Sequence, residues 1–242
     1  MAGLFDPSTI YTQLAAVGLL PQWAAMPKSP ETGSPSYYPA LNRMFVDKEQ
    51  KDEASHEMTH AAQGNLLEAT ASLLADKKKK GKLSEQESQF LESYSKLTGM
   101  AYSASSFDRK KEKELAEGQR KVVDALYTSR LKEEDKNSSF NRYRTTPKEL
   151  QAWGVGNMSV PRVGFDPTPS GLQHLDPSFA TEFDILLSMY NQLPSNLKQE
   201  SAQKRKGSIQ WGKNWYRDQE DMLKNATTYE DVFADPFKSS IK

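Results

Sequence analysis

Apolar residues recur at helical spacing over a proline-free stretch from Asp47 to Leu74, which is rich in the helix formers Glu, Lys, Ala, Gln and Leu. One stripe of this predicted helix consists of Met58, Ala61, Leu66, Ala69 and Leu73. The adjoining stripe consists of His56, His60, Gln63, Leu67, Thr70 and Leu74. The two histidines therefore border the side of the helix that is predicted to be buried.

Caps and spacing predict further helices on both sides of this stretch. Aspartate followed by proline opens one helix at Asp6 and another at Asp176, because proline is preorganised for the first helical position. A capping box from Ser84 to Glu87 opens a helix that ends at Gly99. Apolar positions predict a long helix over about 106–134. These elements together predict a mainly α protein.

Irregular segments separate or flank the predicted helices. The stretch from Pro21 to Pro39 contains five prolines, which predicts a surface arm rather than a folded element. Residues 154–171 are rich in glycine and proline, which predicts an extended crossing segment. The tail from Thr227 to Lys242 is polar with isolated aromatics, as in segments that become ordered on a partner. No segment shows the sustained alternation of a β-strand, so we expect a mainly α protein with long irregular N- and C-terminal arms.

These patterns divide the chain into three predicted parts. Residues 1–44 hold an N-terminal helix and the proline-rich arm, and residues 45–153 form a helical domain around the histidine helix. Residues 154–242 hold the crossing segment, an apolar docking helix and the tail. Hydrophobic residues make up only 36% of the chain and the mean hydropathy is −0.76, which argues against one large core.

The histidine helix contains the sequence H-E-x-x-H at positions 56–60. On an α-helix, the spacing of His56 and His60 places both imidazoles on one face, close enough to share a tetrahedral zinc ion. Glu57 lies one position further round, where a carboxylate can take a proton from a metal-bound water without itself being a ligand. The alternative is a structural helix in which the histidines only pack.

Gly64 interrupts the same predicted helix. Glycine in a helix interior costs about 1 kcal/mol relative to alanine. Its presence therefore predicts a close approach by another segment or by a ligand. The simplest such approach is the crossing of another helix.

The run from His56 to Gln63 resembles the active-site helix of the H-E-x-x-H zinc metallopeptidases. The longer motif of the metzincins is excluded, because Gln63 and Leu66 stand where that motif has glycine and histidine. The remaining resemblance is to the gluzincins, in which a glutamate from a later helix completes the zinc site. It implies that Glu149, 89 positions beyond His60, is the third ligand. Zinc peptidases generally also contain a sheet whose edge strand aligns the substrate, which the predicted α fold lacks.

The third ligand has alternatives in the sequence. Thr146, Pro147 and Glu149 fit a capping box, in which the glutamate returns to the backbone N–H of Thr146 and meets no metal. His174 is another candidate ligand, because imidazole is the commoner zinc donor. It lies in a loop that enters a helix, where a solvent-facing or capping histidine is the alternative.

Charge and composition restrict the partners. Lys+Arg and Asp+Glu both number 32, so no global field favours nucleic acid or an anionic membrane. The chain has no cysteine, which excludes disulfides and thiolate ligands. The N-terminus lacks the basic region of a secretory signal, and no run approaches 18 apolar residues. We therefore expect a protein made in the cytoplasm, without a membrane span.

Two functional predictions follow. In the first, the chain is a zinc-dependent metallopeptidase that acts on a peptide or protein substrate, with Glu57 as catalytic residue and His56, His60 and Glu149 as ligands. In the second, it is a structural protein whose partners are other subunits of an assembly, since the cysteine-free, arm-rich build is similar to bacteriophage virion and tail components. The two combine in a peptidase-like protein that is incorporated in a virion.

Overall fold

The computed structural model describes residues 7–25, 27–28, 34–47, 49–98, 147–159 and 178–225. The helices are α1 (Pro7–Ala16), α2 (Lys51–Ala62), α3 (Ala69–Lys80), α4 (Glu85–Thr98), α5 (Pro147–Ser159), α6 (Ser178–Gln192) and α7 (Ser195–Asn225). A π-helical turn, Gln63–Glu68, connects α2 to α3 without a break. The strands are β1 (Gln22–Trp23), β2 (Ser36–Tyr38) and β3 (Arg43–Phe45). The prediction of a mainly α fold is confirmed.

The three strands form one small sheet in the order β1-β3-β2. β3 pairs in parallel with β1 and antiparallel with β2, where Tyr37 lies opposite Met44. The prediction that Pro21–Pro39 contains no folded element is therefore wrong, because β1 and β2 lie within it. Pro21, Pro35 and Pro39 do not interrupt the sheet, since they lie next to the strands and not in ladder positions. Strands of two and three residues are too short to show an alternating pattern.

The buried hydrophobic side chains of the described chain include one continuous cluster, contrary to the expectation from composition. Every predicted part of the chain contributes to it. Members from α1, β3, the π-helical turn, α4, α5 and α6 include Ile10, Met44, Leu66, Phe90, Val155 and Phe183. Helical packing in this cluster holds α2 in the interior, with α5 against one side and β2 against another.

Helix α4 begins as the sequence predicts. The backbone N–H of Ser84 donates to the Glu87 carboxylate at 2.8 Å, and the Glu87 N–H donates to the Ser84 hydroxyl at 3.3 Å. Lys77 of α3 also forms an ion pair with Glu87, so the same carboxylate joins two helices. The predicted capping box is confirmed.

Helix α5 continues to Ser159, so residues 154–159 are helical and not part of an extended segment. Gly156, one of the glycines that suggested irregular structure, is needed for helix packing. A Cβ at Gly156 would lie 2.7 Å from the backbone oxygen of Asp52 on α2, so only glycine permits this close approach.

Several predicted features lie outside the described residues. These are the long helix at 106–134, most of the crossing segment at 154–171, the candidate ligand His174, and the tail at 227–242. Among the residues that the structure does describe, no helix has both the length and the apolar character needed to cross a membrane.

Candidate metal centre

Helix α2 presents His56 and His60 on one face, as the spacing predicts. Their Nε2 atoms lie 3.0 Å apart, and the two rings meet edge to face with centroids 4.6 Å apart. His56 is buried and His60 is partly buried. The two imidazole nitrogens therefore point at a common location at the edge of the core.

Glu149 comes to the same location from α5. Its Oε2 lies 3.5 Å from Nε2 of His56, and its Oε1 lies 3.3 Å from Nε2 of His60. The side chain is buried, and its carboxylate faces the histidines. Thr146, its partner in the capping-box alternative, lies outside the described residues.

The three side chains form a group that could hold a metal ion. One donor atom from each residue can be chosen so that all three lie within 4.8 Å of one another. In a tetrahedral site with bonds of 2.0–2.1 Å, neighbouring donor atoms lie about 3.3 Å apart. The two Nε2 atoms lie 3.0 Å apart, and each lies 3.3–3.5 Å from one of the two Glu149 oxygens, so the spacing is close to that of ligands around a small divalent cation.

Gln63 fixes the orientation of His60. Its amide nitrogen donates to the backbone oxygen of Lys148 at 3.0 Å and to Oε1 of Gln151 at 3.1 Å. Its amide oxygen therefore faces Nδ1 of His60, at 2.9 Å, and accepts the proton on that nitrogen. In this neutral tautomer Nε2 carries no proton, and its lone pair is available to a metal ion. Nε2 is also the nitrogen that faces Glu149.

Trp153 covers His56 from α5. The centroids of the two rings lie 3.9 Å apart, and their planes are tilted by 43°. Nδ1 of His56 is buried without a hydrogen bond of normal geometry. Packing against the indole therefore helps to hold this imidazole in place, together with the contacts of its Nε2 atom.

Glu57 lies beside the group without belonging to it. Its Oε1 is 3.9 Å from Nε2 of His56, and its carboxylate accepts a hydrogen bond from the backbone N–H of Tyr37 on β2. The side chain is buried but lines the cavity next to the histidines. The sequence predicts this position for a carboxylate that takes a proton from a metal-bound water without itself being a ligand.

Burial and mutual contact shift the pKa values of these side chains in different directions. Burial lowers the pKa of His56 to about 4 and raises the pKa of Glu57 to about 7. Burial alone would lower the pKa of His60, but the Glu149 carboxylate outweighs it and raises that pKa. Burial alone would also raise the pKa of Glu149, but the two histidines hold it far below its ordinary range. His60 and Glu149 therefore each favour the charged form of the other.

A half-open cleft of about 1040 Å³ contains the group. Its walls come from β2, α5 and α7, and its floor comes from α2, the π-helical turn and α3. A cleft of this size is at the upper end of the range for small-molecule sites. The metal group is therefore accessible from outside the fold on one side and supported by the core on the other.

A buried polar network holds β2 above the helical floor. The Tyr37 hydroxyl lies 3.1 Å from Oδ1 of Asn42 and 3.0 Å from Oδ1 of Asn65 in the π-helical turn. Nδ2 of Asn65 donates to Asn42 at 2.9 Å, and Nε of Arg205 donates to Asn65 at 2.7 Å. Asn42 has a positive φ of 49°, which asparagine tolerates in a turn. These contacts fix one wall of the cleft.

Sequence analysis missed the supporting residues of this centre. Gln63 served there only to exclude the metzincin motif, although its position three residues after His60 already allows a contact on a helix. Trp153 and Gly156 carry no comparable signal, because their role depends on the packing of α5 against α2. The predicted approach of another segment to Gly64 is wrong, since a Cβ built there meets no atom of the described residues within 4 Å, whereas the approach of a ligand stays a prediction.

Comparisons of the chain with protein-family models, with curated proteins and with solved structures found no match.

Proposed function

We propose that this protein is a zinc-dependent peptidase. The observation that carries the proposal is the convergence of Glu149 from α5 on His56 and His60 of α2, with Glu57 beside them in an open cleft. Burying two imidazoles and a carboxylate costs free energy unless each finds a partner, and one shared metal ion would be a partner for all three.

Zinc is the metal that best suits this donor set. Two imidazoles and one carboxylate are one of the ligand sets of catalytic zinc, in which water or substrate takes the fourth position. Calcium and magnesium prefer sets made entirely of oxygen donors. The contact between Gln63 and His60 also has the form of the outer-shell hydrogen bonds that orient zinc-bound histidines.

Each side chain has a separate role in the proposed reaction. When bound, zinc polarises the scissile carbonyl and lowers the pKa of its water ligand. Glu57 takes the proton from the attacking water and gives it to the leaving amine, which requires a carboxylate near the metal but not bonded to it. His56, His60 and Glu149 hold the ion, and Gln63 and Trp153 hold the histidine rings in position.

The position of β2 supports a peptide as the substrate. The strand pairs with β3 on one side, and the described residues place no strand on its other side. Residues of β2 line the same cleft as the metal group, close to Glu57. An edge strand beside a reactive group is suited to hold an extended peptide by its backbone.

Metal analysis and activity together test the proposal. We expect protein prepared without chelators to contain about one zinc per chain, and His60→Ala to lose both the zinc and the hydrolysis of an unstructured fluorogenic peptide. Glu57→Gln should keep the zinc and lose the hydrolysis. Gln89→Leu, at an exposed position of α4, is the control and should change neither. Absence of zinc from the wild-type protein would refute the proposal.

A structural role in a large assembly such as a virion remains the second candidate. The observation that favours it is the exposure of Trp211 and Trp215 on α7, which expose 70% and 46% of their surface and lie four residues apart. Such a pair on one helical face suits contact with another protein subunit. Sedimentation of the wild-type chain and of Trp211→Ser over a concentration series tests whether this face joins copies of the chain.

A further inference from the structure

The cleft continues well beyond the metal group. Its floor follows one face of the continuous helix through His60, Gly64, Ala69, Ser72 and Asp76. From His60 to Asp76 the helix advances sixteen positions, which corresponds to roughly 20 to 24 Å at about 1.5 Å per residue. Gly64, Ala69 and Ser72 have small side chains or none, and they leave open space along this floor.

Gly64 has no structural reason to be glycine. Its backbone is helical, and Gly18 is the described glycine with a positive φ. A Cβ at Gly64 would meet nothing within 4 Å, so no neighbour in the described part of the chain requires its absence. Alanine would form the helix better at this position. What glycine does provide is free space in the cleft, one turn beyond His60.

The walls of this distal part are polar and fixed. Lys148 of α5 forms an ion pair with Glu68 at 2.6 Å across the floor. On the opposite wall, Arg205 of α7 donates to the backbone oxygen of Pro39 at 2.7 Å, which ties α7 to the loop after β2. The cleft is elongated and open on one side, and it lies between two helices and an edge strand, which suits an extended polypeptide better than a compact ligand.

We propose that the distal cleft binds an extended polypeptide segment that passes over Gly64, so that the substrates are protein segments of about ten residues and not short peptides. The length follows from the floor, since an extended chain rises about 3.3 Å per residue and about six residues fill the part beyond His60. This inference rests on the proposed peptidase function for the identity of the ligand, and the geometry of the cleft gives its length.

The test compares two peptides on full-length protein with the Glu57→Gln substitution, which prevents turnover. The probes are an unstructured fluorescent peptide of twelve residues and its four-residue fragment, and fluorescence anisotropy gives their dissociation constants. We expect the longer peptide to bind at least about tenfold more tightly, because only it reaches the distal cleft. Equal binding of the two peptides, or binding of neither, would overturn the proposal.

Gly64→Leu tests whether the tighter binding of the longer peptide depends on the distal cleft. Leucine forms helices better than glycine and would project into open space, so the helix should remain folded while the cleft is blocked. We expect Gly64→Leu to remove the advantage of the longer peptide and to leave zinc affinity unchanged. Gly207→Leu is the matched control, because Gly207 is also helical with no atom within 4 Å of a built Cβ and does not line the cleft. Ser72→Leu, two turns further along the floor, is the second blocking variant.

The outcomes separate this inference from the proposed function. If the wild-type protein cleaves the longer peptide but Gly64→Leu and Ser72→Leu bind it normally, the distal cleft is not the binding site and the peptidase proposal stands. If the wild-type protein cleaves neither peptide but Gly64→Leu still abolishes the preference for length, the cleft binds polypeptide and the peptidase proposal fails.

Discussion

Oε1 of Glu149 lies 3.3 Å from Nε2 of His60, although the two residues are 89 positions apart in the chain. The contact joins α5 to α2 at the edge of the core. It also completes the set of donors that the two histidines begin, since a carboxylate and two imidazoles are sufficient protein ligands for a catalytic zinc ion.

Glu149→Gln tests this contact directly. We expect zinc affinity to fall by more than about a hundredfold, because loss of a charged ligand should exceed the 10–100-fold effect of outer-shell changes. If Glu149 acted only in a capping box, glutamine would serve nearly as well, and the protein would keep its metal with a stability loss of about 1 kcal/mol or less. Competition with a chromophoric chelator measures the affinity. Glu85→Gln, in the first turn of α4, is the matched control.

Gln63 should affect the metal through its contact with His60. In Gln63→Leu, Nδ1 of His60 loses its acceptor, and we expect zinc affinity to fall by about 10–100-fold. Gln63→Glu restores an acceptor for that nitrogen and should recover part of the loss. The same chelator titration compares the two variants, and equal affinities for both would show that Gln63 acts only through packing.

Gly156→Ala should damage both the fold and the site. The new methyl group would lie 2.7 Å from the backbone oxygen of Asp52, which cannot move as a flexible side chain would. We expect a stability loss of about 1–3 kcal/mol in chemical denaturation, together with weaker zinc binding, because α5 carries Glu149. Gly207→Ala is the control and should be neutral or stabilising by up to about 1 kcal/mol. Unchanged stability of Gly156→Ala would contradict the close packing of α5 on α2.

Glu87 should make stability depend on pH below neutrality. Burial opposes its charge, but the contacts with Lys77 and Ser84 prevail and lower the pKa of the carboxyl group. The folded protein then binds fewer protons than the unfolded chain, so the stabilisation is complete above the ordinary glutamate pKa and is lost as pH falls through the lowered value. We expect the difference in unfolding free energy between wild type and Glu87→Gln to be constant near pH 7 and to shrink below about pH 5. A difference that grows on acidification would contradict this assignment.

The proline-rich N-terminal segment should resist protease in the isolated chain, at least where it forms the sheet. Tyr37 is buried, and its hydroxyl contacts Asn42 and Asn65. We therefore expect limited proteolysis, followed by mass spectrometry, to leave the chain uncut around β2 and β3. Rapid cleavage there, with protection only in an assembly, would favour the structural function over the peptidase.

The sequence by itself determined the local features of this protein. The helical spacing of α2 follows from its apolar stripe, and the capping box at Ser84 follows from local chemistry, because both involve residues within a few positions of one another. The approach of His56 to His60 has the same origin, since a helix brings residues four apart onto one face. These parts of the fold and of the site could be predicted.

Tertiary structure alone decided the remainder. Strands of two and three residues lack a recognisable period, and they form because Tyr37 and Met44 pair across a turn and pack into the core. The place of Trp153 over His56 and the need for glycine at position 156 depend on the distance between two helices far apart in the chain. Glu149 fitted a capping box and a metal site equally well in the sequence. Only the packing of α5 on α2 decided that its carboxylate faces the histidines, because long-range contacts depend on the shape of the whole core and not on local propensity.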